Sequence, residues 1–319
     1  MIKNKIYNVL LFSLSILIAV IFLEFFLIIK SKLIINYDTE MWKYSKNLKI
    51  KSDNKKINHV HRKNTSSVLQ NVEINLNSYG LRGNEKDLQD WKKSTNKILI
   101  IGSSITLGWG VDEKKIITTI LNDLAIKNNL DWKFLNAGVG NYNIERYVNN
   151  YLENLKQLKP DKIIIQYFLN DAEILPNTEG NIFTRNFHLG VLLWKYKNLL
   201  SDDIKFKDIF NYYDEIYTNK RNLDMVENNM KILKEHCKIN NKECIIVYTP
   251  DIQFINDKRF NIFSKKIESI AQKKNLNFID LTDVFLVNKK KNLLNDYNDN
   301  HPNELGHQIM ASKIFNSLQ

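Results

Sequence analysis

The sequence predicts an α/β protein in which one apolar N-terminal helix precedes a doubly wound parallel sheet of five strands. Three observations carry that prediction. Residues 6–29 are almost unbroken Ile, Leu, Val and Phe. Further along, five short apolar or β-branched runs recur between polar turns, as buried parallel strands do. Between those runs, apolar residues fall at intervals of three and four, the spacing of helices packed on a sheet.

The first element, within residues 1–35, is long enough at roughly 1.5 Å per residue to cross the hydrocarbon core of a bilayer. No A-x-A-like cleavage site follows it, so it reads as a retained single-pass anchor and not as a signal peptide. Lys3 and Lys5 precede the span and Lys30 and Lys32 follow it, which leaves little charge asymmetry. The free amino terminus favours an inside start, a cell-membrane location and an extracytoplasmic, periplasmic domain. Glu24 lies near the end of the span and is expected to reach the headgroup region, the alternative being that it faces a partner helix. Residues 36–95 read as a polar tether, Lys- and Asn-rich to about Gln70, and then as a cover over one edge of the next domain. Asn77-Ser78-Tyr79-Gly80-Leu81-Arg82-Gly83 supplies its turn residues.

Residues 96–319 hold the β-α-β alternation. The strands are expected at Lys97 to Ile101, Trp132 to Leu135, Lys162 to Phe168, Cys244 to Tyr248 and Leu276 to Leu281. Ile116, Ile117, Ile120, Leu121 and Leu124 mark one intervening helix, and Tyr147, Val148, Tyr151, Leu152 and Leu155 another. Residues 172–221 break the pattern, apart from a helix expected over Leu189 to Leu200, and are a candidate wall or lid. Trp194 within them is weighed as core or as a substrate platform and is assigned no role.

Composition narrows the function classes. A chain of 319 residues, 44% hydrophobic, has apolar material for one such domain with short appendages, not for two full-sized domains. The net charge of +11 is spread over the whole length without an aromatic-interleaved basic stripe, so no nucleic-acid partner is expected. With two cysteines, Cys237 and Cys244, neither a Cys-rich zinc site nor a disulfide scaffold is available. No metal and no cofactor is expected; the two sulfurs are read either as a bridge in an oxidising compartment or as two buried thiols.

In doubly wound sheets ligands bind beyond the carboxyl ends of the strands, so the residues there matter most. The first strand ends in Gly102-Ser103-Ser104-Ile105-Thr106-Leu107-Gly108, a glycine turn that can present a serine clear of the sheet. The G-x-S-x-G elbow is not matched, and the lysine spacing of a phosphate loop is missing. After the second strand, Asn136-Ala137-Gly138-Val139-Gly140-Asn141 is rich in residues that tolerate unusual dihedrals, and its amides can face a ligand. The third strand runs into Leu169-Asn170-Asp171, which puts an amide side chain at the same sheet edge. Near the C-terminus, Pro302 holds His301 out of helical geometry, Asn303 can cap the last helix, and Asp299 can accept the imidazole N–H and select its tautomer. His307, on that helix, reads as structural.

These blocks, in this order over Lys97 to the end, resemble the SGNH/GDSL hydrolase superfamily. The resemblance implies a flavodoxin-like five-stranded fold and acyl transfer, with Ser104 rather than Ser103 as nucleophile and His301 as its base. It implies an oxyanion hole built from the amides of Ser104 and of Gly140 or Asn141, with the Asn170 side chain. Four positions depart from the family pattern: Ser103 replaces an acid, Asn141 stands where glycine is usual, Phe168 occupies the glycine position of the third block, and Asn298 takes the usual acid position. A D-x-H spacing occurs in members that acetylate exopolysaccharides, so Asp299 is assigned as the triad acid. The resemblance suits an ester hydrolase acting on O-acyl groups of an envelope or exported glycan, or on a small ester. The alternatives are a polysaccharide O-acetyltransferase and a catalytically silent glycan-binding module. A flavodoxin-like cofactor protein would share the sheet but leaves the His-Pro-Asn block unexplained. The sequence sets no oligomeric state.

Overall fold

The computed structural model describes residues 2–177, 180–201, 208–296 and 299–319. In chain order the elements begin with helices α1 (Ile2–Leu33) and α2 (Tyr37–Leu48), hairpin strands β1 (Lys49–Lys51) and β2 (His59–His61), strands β3 (Thr65–Leu69) and β4 (Val72–Leu76), and helix α3 (Glu85–Lys93). Then follow β5 (Asn96–Gly102), α4 (Ser104–Leu107), α5 (Ile117–Lys127), β6 (Trp132–Gly138), α6 (Ile144–Asn150) and β7 (Lys162–Phe168). The remainder comprises α7 (Ile182–Asn186), α8 (His188–Ser201), α9 (Ile209–Thr218), α10 (Lys220–Ile239), β8 (Glu243–Thr249), α11 (Asn261–Lys273), β9 (Asn277–Asp280), α12 (Thr282–Val287), β10 (Leu294–Asp296), β11 (Asp299–Pro302) and α13 (Glu304–Leu318).

The chain divides into two compact units, one of residues 1–47 and 178–205, the other of residues 48–177 and 206–319. The division is not linear along the chain, because residues 178–205 of the presumed wall group with the N-terminal helix. In the first unit α1 is long and apolar enough over Asn4–Leu33 to cross a membrane, and none of that stretch is buried in protein.

In the second unit five parallel strands run in the order β6-β5-β7-β8-β9. All five lie where the apolar runs are, because strands covered on both faces read as continuous hydrophobic sequence. Ile163, Ile164, Ile165 and Tyr167 of β7 are wholly buried. Strand β5 pairs with β6 on one side, Gly102 opposite Gly138, and with β7 on the other, Gly102 opposite Gln166. The strand order therefore reverses at β5, and the crevice of a doubly wound sheet opens at its carboxyl end.

Residues 48–95 are more than a tether and cover. Ile57, Leu81, Leu88 and Trp91 join the same core as the sheet. Two short antiparallel hairpins, β1–β2 and β3–β4, escape a periodicity search because each strand has only three to five residues. Cys237 at the end of α10 and Cys244 in β8 form a disulfide, with a Cα–Cα distance of 6.2 Å.

Candidate active site

The Ser104 turn is shaped by two glycines. A Cβ on Gly102 would lie 2.1 Å from Thr106 Oγ1 and 2.8 Å from Gln166 O. On Gly138 it would lie 2.2 Å from Leu107 N and 2.6 Å from Thr106 C. Neither gap admits a side chain, so α4 sits directly on the ends of β5 and β6 with half-buried Ser104 at its first turn. Side chains then pin α4. Asn136 Nδ2 donates to Thr106 O at 2.6 Å, and Thr106 Oγ1 donates to Gln166 Oε1 at 3.0 Å. Arg82 donates to the carbonyls of Leu107, Gly108 and Val111, each at 2.6 Å, and so satisfies the C-terminal end of the short helix.

His301 arrives on β11, paired antiparallel with β10. Its Nε2 lies 2.7 Å from Ser104 Oγ, and its Nδ1 lies 2.5 Å from Asp299 Oδ1. The same carboxylate oxygen accepts His301 N at 3.1 Å, which fixes both the ring and the backbone carrying it. Asp299 and His301 are both buried. An Nδ1–H held by a carboxylate leaves Nε2 as the acceptor for the serine proton. Asn298 lies outside the described residues. Asp296 is exposed on the neighbouring strand.

A second carboxyl, Asp251 after β8, lies behind this pair. It accepts from Tyr213 Oη at 3.1 Å, and its pKa is raised by burial against hydrogen bonds that include Asn300 and the charge of His301. His307 accepts the amide of Ile117 on Nδ1 at 3.1 Å, and burial pushes it down to about 3. It is neutral at ordinary pH and ties α13 to the start of α5.

The turn after β6 is clamped by cationic and imidazole side chains. Buried Lys49 donates from Nζ to Gly140 O at 2.7 Å, and His59 Nε2 lies 3.1 Å from the same oxygen. Arg146 donates to Asn141 O at 2.8 Å, and Tyr142 Oη donates to His59 O. Burial, reinforced by Arg146, lowers Lys49 to about 7. Burial also lowers His59, aided by Lys49 and Arg146. Asn141 takes the left-handed conformation at φ 64°, which asparagine tolerates in place of glycine. With the Gly140 carbonyl held by two donors, the Asn141 amide on the other side of that peptide makes no hydrogen bond to the described residues.

Asn170 follows β7 in a single turn, and its exposed side chain makes no hydrogen bond to the described residues. Next to it Asp171 is wholly buried. Its Oδ2 accepts Phe168 N at 2.9 Å, and burial raises its pKa well above the carboxylate range despite the Ser103 and Tyr147 hydroxyls. Asp171 Oδ1 and the Tyr147 hydroxyl, both buried, reach no partner in hydrogen-bond geometry.

The structure thus brings Ser104, His301 and Asp299 into one hydrogen-bonded chain. It sets Gly140, Asn141 and Asn170 on the turns after the two strands that flank β5. Sequence reasoning missed Lys49, His59, Arg82, Arg146 and Asp251. The one visible signal was Arg82, a lone cation inside a glycine turn.

A parallel sheet whose first strand runs into a serine, met by a histidine and an aspartate from just before the last helix, is an arrangement suited to acyl transfer. The family model for the GDSL-like lipase/acylhydrolase family matches residues 100–309, and the chain belongs to that family. Solved structures with similarity include an acetylxylan esterase, Axe2, from Geobacillus stearothermophilus, at 19% identity and a TM-score of 0.48 over 70% of this chain and 94% of that one. Another is LAE5, an alpha/beta hydrolase enzyme from the metagenome of Lake Arreo, Spain, at 16% identity and a TM-score of 0.48 over 70% of this chain and 95% of that one. A third is the psychrotrophic esterase EstA from Pseudoalteromonas sp., at 15% identity and a TM-score of 0.45 over 70% and 96%. No curated protein matches the chain in sequence.

Proposed function

We propose that this hydrolase is a membrane-anchored serine esterase that removes O-acyl groups, acetyl above all, from envelope or exported glycans. The observation that carries the catalytic part is the continuous bonding from Asp299 Oδ1 through His301 to Ser104 Oγ, at 2.5 and 2.7 Å. In this reading His301 takes the Ser104 proton as Oγ attacks the ester carbonyl, and Asp299 steadies the imidazolium. The amides of Ser104 and of the Gly140–Asn141 turn, with the Asn170 side chain, receive the oxyanion. His301 then gives its proton to the departing sugar oxygen as the ester C–O bond breaks, releasing the sugar hydroxyl, and water, activated by the same imidazole, resolves the acyl-enzyme.

The substrate part rests on the anchor. A helix able to cross a bilayer, retained at the N-terminus, holds the site near an envelope surface. The Cys237–Cys244 disulfide suits an oxidising compartment outside the cytoplasm. The test uses the full chain in detergent micelles, with a fluorophosphonate probe and an O-acetylated glycan as substrate. Labelling that is lost in Ser104→Ala, together with acetate release, supports the reading. A wild-type chain that stays unlabelled, like Ser104→Ala, would replace the enzyme with a silent glycan-binding module. If the acetyl group leaves the enzyme only when an acceptor glycan is supplied, the chain is a transferase and not a hydrolase.

A further inference from the structure

The anchor unit contains an arrangement that the esterase reading does not use. Glu24 lies on α1 nine residues before its end at Leu33, roughly 13 Å along the axis, within the stretch able to cross a membrane. Its carboxylate does not run free toward headgroups. Oε1 accepts the backbone N–H of His188 at 2.8 Å, Oε2 accepts that of Leu189 at 2.9 Å, and His188 Nδ1 lies 3.0 Å from Oε1. A carboxylate on one helix therefore caps the first turn of another, where the orphan amides and the positive end of the dipole favour it. His188 Nε2 reaches Ser31 Oγ at 3.2 Å, seven residues further along α1. Trp42 of α2 packs edge-on against the His188 ring at 4.7 Å and donates its indole N–H to Thr184 O at 2.9 Å.

Helices α7 and α8 are thus fastened to α1 alongside its last apolar turns, not beyond them. Their exposed apolar and aromatic residues are Ile182 at 80%, Leu193 at 54%, Trp194 at 52% and Tyr196 at 57%, with Phe187 beside them, and Arg185, Asn186 and Lys197 are exposed among them. Charge collects at the other end of the attachment, where Lys195 pairs with Asp38 of α2 at 2.5 Å. Exposed Ile, Phe and Leu next to Trp, Tyr and Lys is the make-up of a helix lying in the interface of a bilayer. An ionisable pair inside an apolar span is costly unless it is bonded, and here the bonding also fixes the depth of a second element.

We infer that residues 182–197 form a second membrane contact, a helical hairpin laid into the interface of a phospholipid bilayer and locked to α1 by Glu24 and His188. The inference rests on α1 being a retained span. The segment read from sequence as a candidate wall or lid becomes, over this range, part of the anchor, and Trp194 becomes an interfacial residue.

The test reconstitutes the full chain in vesicles of phosphatidylcholine and phosphatidylglycerol, with or without phospholipids brominated on the acyl chain, and reads tryptophan emission. Wild type is compared with Trp194→Phe, so that the difference isolates Trp194 from Trp42 and the three remaining tryptophans. An alkaline carbonate wash of the same vesicles reports whether α1 is inserted. The inference expects carbonate-resistant chains and a bromolipid-quenched component that is lost in Trp194→Phe. It also expects Glu24→Ala to lose quenching of Trp194 while staying carbonate-resistant, and Glu24→Gln, which keeps an acceptor, to retain it. Equal quenching of wild type and Trp194→Phe in carbonate-resistant chains overturns the hairpin and leaves the anchor intact. Chains stripped by carbonate overturn the anchor itself.

Discussion

Lys49 offers the sharpest test of how the site is held. Its ammonium is buried against Gly140 O, and burial with the nearby Arg146 charge brings its pKa down to about 7. In the unfolded chain a lysine titrates near 10.4. Below about pH 7 both states carry the proton, and the folded state bears the full cost of a buried cation. Between about 7 and 10.4 the unfolded state binds more protons than the folded one, so stability contributed at this position rises with pH. The slope is roughly 1.4 kcal/mol per pH unit, or about 2.7 kcal/mol from pH 7.5 to 9.5. Lys49→Met keeps the aliphatic stem and has no such term. Urea unfolding of the full chain in micelles, for wild type and variant at both pH values, should show the difference between them growing by that amount in favour of wild type. The same variant leaves Gly140 O with His59 alone. Its kcat is expected to fall by roughly tenfold at nearly constant KM, less than for loss of a direct oxyanion donor. A stability difference that stays flat across this range would refute the burial argument. An unchanged kcat would refute the positioning one.

Three further outcomes follow from the geometry. Asp299→Asn should lower kcat by about four orders of magnitude with the fold intact, because the amide stabilises no imidazolium and can leave the wrong nitrogen protonated; a loss smaller than tenfold would point to Asp251 as the operative acid. Asn170→Ala should cut turnover by two to three orders of magnitude, about 3 kcal/mol of transition-state stabilisation, without shifting the unfolding midpoint. Arg82→Ala strands the carbonyls of Leu107, Gly108 and Val111 and should destabilise the catalytic unit by roughly 3–5 kcal/mol, read as a lower urea midpoint.

The readable parts of the sequence share a physical property. The five strands are covered on both faces, so burial wrote continuous apolar runs into the chain. Ser104, Asn170 and His301 sit just past strand ends or just before a capped helix, where Gly, Asn and Pro mark the backbone. Lys49 and Arg146 were not readable, because each acts on backbone carbonyls, Lys49 on that of Gly140 and Arg146 on those of Asn141 and Pro176. A carbonyl acceptor is common to every residue and leaves no trace in the partner's identity. The same holds for the Glu24 bonds to the amides of His188 and Leu189, where sequence offered an acid near a membrane surface or one facing a partner helix it did not identify. The disulfide stood open between two readings, because a seven-residue separation sets neither distance nor orientation.

Those unreadable cations also bear on how a site with altered motifs can work. The family model begins at residue 100, yet Lys49, His59 and Arg82 all precede it and hold the turn after β6 or the end of α4. Lys49, His59 and Arg146 each have a lowered pKa, and the Arg146 charge contributes at both Lys49 and His59. Burial is the first cause of all three shifts; below about pH 7 Lys49 carries its proton and, with Arg146, places positive charge beside the turn. The Asn141 amide points from a peptide whose carbonyl carries that charge on its far side. Replacing the glycine of the family pattern with asparagine leaves the backbone donor in place beside those cations. Under the proposed function, the N-terminal hairpin β1–β2 positions the turn that receives the oxyanion. Loss of Lys49 should then weaken binding of a tetrahedral phosphonate adduct's anionic oxygen more than it weakens binding of the neutral ester.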